Sequence, residues 1–298
     1  MKSKKITGSI MLILCTVIWG AAFSFQTMAK DYIGPFSLIA IRFLIAGVVL
    51  LPITIVYVKK AQVKFNLKRA LIGGLITGAF LAFASIVQQF GITKTSTGKA
   101  GFITAMYIVF VPVISVLVFR KKLNLYQIIG ILVTLVGVGL LSLNNDFSIN
   151  IGDILCLIGA LLFAFQILSV ERFSDVDSMV ISVSTFLSTG IISLIFAFIF
   201  ESTTLNDIKQ AIVPILYLGI GSSGIAYTLQ FLGQKRISGV PAALIMSLEA
   251  VFSALFAWII LSESLELKET IGAILMMIGV IVVQVFDKGL EQNKTPSK

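Results

Sequence analysis

Ten apolar runs follow one another along the chain, over roughly 6–28, 35–58, 69–91, 98–119, 125–143, 151–171, 179–200, 210–232, 239–261 and 269–287. Each run is about 18–24 residues, enough to cross a hydrocarbon core about 30 Å thick. In lipid no backbone N–H or C=O can go unpaired, so a crossing segment is a helix or a strand of a closed barrel. Barrel strands take about ten residues of alternating polarity. These runs are twice that length and do not alternate, which predicts an all-α polytopic membrane protein with ten transmembrane helices. Only 12% of the 298 residues are charged, about half the share of a soluble domain. The first run lacks a small-residue cleavage site and reads as a span, not a removable leader. Cys15 and Cys156 both fall inside apolar runs and read as reduced core residues rather than a disulfide.

The net charge of +9 is explained by orientation. With the N-terminus inside, Lys30, Lys94, Lys99, Lys209 and Lys268 fall in outer loops and Arg42 falls within a span. The other seventeen of the 23 Lys and Arg residues lie on the inner side. Such asymmetry is the signature of cytoplasmic loops, so both termini are expected in the cytoplasm and no nucleic-acid partner is implied. The expected setting is a prokaryotic cell membrane.

The chain also repeats itself. At an offset of 142, Leu123, Ile129, Gly130 and Gly137 coincide with Leu265, Ile271, Gly272 and Gly279. At 141, Gln89, Phe90 and Lys94 coincide with Gln230, Phe231 and Lys235. Five spans per copy is an odd number, so the second copy must be inverted. The division is 1–145 for the first repeat and 150–288 for the second, with 289–298 as a cytoplasmic tail. "FRKKLNLYQIIG" from Phe119 and "LSESLELKETIG" from Leu261 fit this scheme: one apolar frame carries cations inside and none outside. Inverted repeats typify secondary transporters, whose solute site lies near the midplane between the halves.

Several motifs strengthen that reading: Trp19-Gly20 in span 1, Arg42-Phe43 in span 2, Val111-Pro112 in span 4, and Glu263, Leu265, Gly272 and Gly279 closing the second copy. Over about residues 6–287 the chain resembles the EamA-like branch of the drug/metabolite transporter superfamily. It departs from that pattern at Lys121, where many members have Glu, and at Ala250, where many have Pro. The resemblance implies transport of small organic molecules, often export of amino acids or related metabolites.

Polar residues inside spans are the candidate site. Glu249 lies about ten residues into span 9, where a charge costs at least ~2.5 kcal/mol. It reads as a proton carrier, a group that captures a cationic part of the solute, or a structural interhelical partner. Arg42 lies about 10 Å deep at 1.5 Å per residue. It could hold a carboxylate bidentately or serve as a snorkelling structural cation. Trp19, Tyr107, Tyr227 and Gln166 are candidate cavity-lining residues, with core packing as the competing role. Gln89 and Gln230, matched by the repeat, are candidate outer and inner gate elements, or simply helix-end polar groups reaching water. Small residues crowd spans 3 and 8, among them Gly73, Gly74, Gly78, Gly219, Gly221, Ser222, Ser223 and Gly224. They allow close packing and could also let those spans bend.

The chain has no His, which leaves no His proton relay, no likely zinc site and no His-based triad. No phosphate-binding G-x4-G-K-[ST] run is present, so no cofactor, metal or catalytic residue is expected. The expected partners are a small organic solute and the lipid bilayer, with the proton as the candidate coupling ion. A passive channel, or an importer of vitamins or nucleobases, is the alternative. Monomer and homodimer both stay open, as does the identity of the solute.

Overall fold

The computed structural model describes residues 2–142, 149–262 and 267–286. Glu263 and Leu265 of the closing motif, the linker centre at 143–148 and the tail at 289–298 lie outside the described residues. Within them the chain is helical throughout and contains no strand.

Eight segments are long and apolar enough to cross a membrane: Lys5–Ala29, Pro35–Lys60, Leu67–Ile92, Thr97–Leu117, Ile151–Arg172, Ser178–Phe200, Ile212–Gln234 and Gly239–Leu261. Two shorter apolar helices, Leu125–Leu140 and Thr270–Phe286, accompany them. All ten correspond to the expected runs. The helical elements are α1 (Lys2–Ala29), α2 (Pro35–Lys60), α3 (Leu67–Ile92), α4 (Thr97–Thr104), α5 (Tyr107–Leu117), α6 (Leu125–Ser142), α7 (Ile151–Arg172) and α8 (Ser178–Phe200). They continue with α9 (Leu205–Gln210), α10 (Ile212–Leu216), a π-helical stretch (Tyr217–Ala226), α11 (Tyr227–Gln234), α12 (Gly239–Met246), α13 (Glu249–Leu261) and α14 (Leu267–Phe286).

The starts of these helices follow from local chemistry. Pro35 supplies a fixed φ at the first turn of α2. Asn66 accepts from the Arg69 N–H, and Asn150 with Asp153 forms a reciprocal capping box at α7.

Two spans are interrupted midway, and neither break falls at a proline. Between α4 and α5, Met106 N–H donates to Ile103 at 3.1 Å; between α12 and α13, Leu248 N–H donates to Ile245 at 3.1 Å. Each i→i+3 bond tightens one turn and skews the next half-helix. The two breaks, at 105–106 and 247–248, are 142 residues apart, so Ala250 does not prevent the interruption of span 9.

Helix pairs pack through glycines placed reciprocally. On α2 and α8, a Cβ at Gly47 would meet Leu187 Cδ2 at 2.6 Å, and one at Gly190 would meet Leu44 Cγ at 2.7 Å. On α6 and α14, a Cβ at Gly137 would meet the Gly272 carbonyl at 2.6 Å, and one at Gly279 the Gly130 carbonyl at 2.7 Å. Gly91 of α3 faces the Gly152 carbonyl of α7, as Gly233 of α11 faces the Gly8 carbonyl of α1. Small residues let the backbones approach this closely, which is how membrane helices gain van der Waals contact when lipid offers no hydrophobic drive.

Candidate functional site

A cavity opens where α1, α2, α3, α7, α11 and both broken spans converge. Its volume is about 40 Å³, within a wider space of about 460 Å³ that includes its open mouth. All six expected solute-contacting residues line it: Trp19, Arg42, Tyr107, Gln166, Tyr227 and Glu249. Gln230 lines it too. Gln89 does not; its side chain turns away and donates to the Gln26 carbonyl at 3.3 Å. The neighbouring Gln88 faces the cavity instead and donates to Thr104 Oγ1 at 2.9 Å. With Gly91 and Gly233 at equivalent packing positions, the structural partner of Gln230 is Gln88, not Gln89.

Twelve of the sixteen lining residues pair numerically, at two offsets; Gln26, Arg42, Thr104 and Ser222 do not. Trp19, Ala22 and Phe23 match Phe163, Gln166 and Ile167 at an offset of 144, while Ser85, Gln88 and Tyr107 match Tyr227, Gln230 and Glu249 at 142. Each member of each pair faces the same space.

Arg42 is 4% exposed and its partners are all neutral. Its Nε donates to Ser223 Oγ at 2.8 Å, its Nη2 to Ser222 Oγ at 2.7 Å and its Nη1 to Gln26 Oε1 at 3.1 Å. No ion pair to a described carboxylate accompanies them. A guanidinium carries five N–H donors, so one on each Nη is unspent. The Phe43 ring lies 5.2 Å from the guanidinium carbon, and Tyr227 packs between Trp19 (4.6 Å) and Phe43 (5.5 Å) to form an aromatic wall.

Glu249 begins α13 and is 4% exposed. Its Oε1 has no hydrogen-bond partner, nor has the hydroxyl of Tyr107, which begins α5. The Tyr107 hydroxyl lies close to the Glu249 carboxylate and interacts with it electrostatically. A buried donor and a buried acceptor left open in one cavity is costly unless something fills the gap.

A reciprocal amide pair bridges α7 and α11 at the cavity wall. Gln166 donates to Gln230 at 3.3 Å and Gln230 donates back at 3.2 Å. Gln234 adds a bond to the Ile167 carbonyl at 3.0 Å. Beyond the pair lie Lys121 with Glu171 at 2.8 Å and the Arg69–Asp175 ion pair. At the opposite end of the molecule Lys99 pairs with Asp153 at 2.6 Å, and Thr27 meets Thr97 at 2.9 Å. Among the described residues no cluster of three His, Cys, Asp or Glu could hold a metal ion.

Comparison with known proteins decides the family. The profile of the EamA-like transporter family matches residues 6–143 and again 150–285. The chain belongs to the EamA-like transporter family. It is a multi-pass membrane protein of the drug/metabolite transporter superfamily. An uncharacterized transporter of Archaeoglobus fulgidus is 31% identical over 94% of this chain and 86% of its own. The uncharacterized transporter YoaV of Bacillus subtilis is 26% identical over 91% and 94%. A solved crystal structure at 19% identity covers 95% of this EamA-like chain with a TM-score of 0.76, a likeness of fold.

Sequence reasoning missed Gln26, Ser85, Gln88 and Phe163 as lining residues. Gln88 and Gln89 are adjacent polar residues on one helix, and only the direction of approach of α1 and α4 selects between them. Ser222 and Ser223 stood out only as small residues, although both hold Arg42.

Proposed function

We propose that the protein is a secondary transporter that carries a small organic solute with an oxyanionic group across a prokaryotic cell membrane by alternating access. The solute occupies the cavity between two inverted five-helix repeats, 1–145 and 150–288, with both termini cytoplasmic. Reciprocal glycine contacts, matched helix breaks and the paired lining residues support the inverted arrangement. The chain acts as a carrier, not as a catalyst.

One observation carries the solute reading: Arg42 is buried at the cavity wall, is bound only by neutral oxygens and keeps one unspent N–H on each Nη. Two parallel N–H donors match a carboxylate or phosphate, and a buried cation without a counterion gains most from receiving one. Glu249 and Tyr107 provide an acceptor and a donor for the rest of the solute, and Glu249 is the proton carrier if transport is coupled to a pH gradient. With so little room for water, the cavity must widen to admit a metabolite, as alternating access requires and a standing pore does not. Amino acids, related metabolites and drugs fit this chemistry, and export is the direction the family resemblance favours.

A thermal-shift screen of a metabolite library at two pH values tests the reading. A ligand at about a hundred times its Kd adds about 2.7 kcal/mol of stability, so genuine solutes raise the melting temperature. The expected hits carry a carboxylate or phosphate and lose their effect in Arg42→Lys, which keeps the charge but not the planar fork. Hits that lack an anionic group, or that stabilise Arg42→Lys equally, overturn the reading.

A further inference from the structure

The π-helical stretch Tyr217–Ala226 joins two features that the transport reading leaves separate. Its Ser222 and Ser223 hydroxyls hold Arg42, and its C-terminal end runs without a break into α11, which carries Gln230 of the amide pair at the cavity wall. A π-helix is rare, and ten residues of it is a long run for a form seen mostly as single-turn bulges. The sequence here, "YLGIGSSGIA", has three glycines and two serines, so little side-chain packing of its own favours α over π. What holds the wide form lies outside the helix. Trp19 Nε1 donates to the Ser222 carbonyl at 3.3 Å, the Tyr217 hydroxyl donates to the Ile18 carbonyl at 2.9 Å, and Arg42 binds two consecutive hydroxyls. A wider helix turns less per residue, which is what lets neighbours 222 and 223 reach one guanidinium.

We propose that Ser222 and Ser223 are positioning residues that couple occupancy of Arg42 to opening of the Gln166–Gln230 pair at the cavity wall, through rewinding of 217–226 from π to α. The inference rests on the oxyanion reading for its trigger but not for its mechanics. An oxyanion held by the two unspent N–H groups draws the guanidinium toward itself and off the two serine hydroxyls. Freed of that tether, the segment tightens to i→i+4 bonding and rotates α11 about its axis. Gln230 then swings away from Gln166, and Gln234 from the Ile167 carbonyl.

Two glycines allow a test that needs no solute. A Cβ at Gly224 would sit 3.3 Å from the Gly219 carbonyl, five residues back, so alanine there crowds the π form itself. A Cβ at Gly221 meets nothing nearer than 3.9 Å, so alanine there costs no packing. Alanine stabilises α-helical winding over glycine by about 1 kcal/mol relative to the unfolded chain. The experiment is hydrogen–deuterium exchange by mass spectrometry on full-length protein in lipid nanodiscs, for wild type, Gly221→Ala, Gly224→Ala and Ser223→Ala. Each is measured in sodium acetate and in sodium chloride of equal ionic strength. In chloride, the alanine variants are expected to exchange about tenfold faster than wild type across Tyr227–Gln234 and the facing part of α7, the factor that loss of one or two hydrogen bonds gives. Exchange across α6 and α14 stays unchanged, which separates a local opening from general loosening. In wild type, acetate is expected to produce the same opening.

Unchanged or slower exchange of α11 in both glycine variants overturns the coupling, as does a rise spread evenly over all helices. Opening in Gly221→Ala and Gly224→Ala with no acetate effect in wild type supports the coupling and counts against the oxyanion reading instead.

Discussion

The carboxylates of Glu201 and Asp177 do the same job at opposite ends of one helix pair. Asp177 caps its own helix, α8, accepting from the Met179 and Val180 N–H groups. Glu201, at the far end of α8, accepts from the Phe36 and Ser37 N–H groups of α2 at 3.0 and 2.8 Å. Those N–H pairs are 143 residues apart, the offset that relates Gly47 to Gly190. Gly34, at the N-cap of α2, has no side chain to offer, and a neighbouring helix supplies the missing acceptor. Replacing Glu201 with Ala should cost about 1–2 kcal/mol, as loss of a good N-cap does. Glu201→Gln should recover part of this, because its amide oxygen still accepts. Thermal unfolding in detergent is the measurement, and an Ala variant as stable as wild type would show that the clasp is idle.

Arg69 and Asp175 link α3 to the α7–α8 turn in a bidentate pair. The Arg69 guanidinium holds the Asp175 carboxyl below its usual range. A depressed folded pKa contributes stability above the unfolded value and loses it as pH falls through the folded one. Both side chains are a third or more exposed, so the pair contributes at most about 1 kcal/mol. The stability gap between wild type and Asp175→Asn should therefore be small and constant above about pH 4, and close below it. A gap that widens on acidification would contradict the assignment.

If Glu249 carries the coupling proton, Glu249→Gln should abolish accumulation driven by a pH gradient in proteoliposomes. It should spare solute exchange at equal pH on both sides, since Gln keeps the shape and one acceptor. Full gradient-driven uptake by the Gln variant would sink the proton-carrier role while leaving the cavity intact.

Gly137 abuts the Gly272 carbonyl and Met276 of α14. A Val there has no space and must part α6 from α14, at a cost of about 1–3 kcal/mol or more. Gly139 has nothing within 4 Å of an added Cβ, so Gly139→Ala should be silent or slightly stabilising. Equal melting temperatures for Gly137→Val and wild type would refute the packing argument.

Much was legible in the residues. The length of the apolar runs predicted helices, and each described run is helical, three of them in more than one segment. The buried acid and the buried arginine stood out by cost alone, and the structure brings both to one cavity with Trp19, Tyr107, Gln166 and Tyr227. The Gln89/Gln230 match at 141 was a partial guide: it found the right helices but the wrong neighbour, because Gly91 and Gly233 set the packing register at 142. Nothing in the sequence signalled the breaks at 105–106 and 247–248, since they arise from i→i+3 bonding and not from proline.

The line between the two kinds of information follows the range of the forces. Span length, helical backbone and the bias of basic residues to one side depend on each segment's own free energy in lipid or water, and so can be read residue by residue. Arg42 finding Ser222 and Ser223, about 180 positions away, depends on how α2 and the 217–226 segment meet. So does the π winding, which no local preference favours and which distant hydrogen bonds hold. A polar side chain in a span must turn inward because lipid cannot solvate it, but which partner it meets there is settled only when the helices have packed.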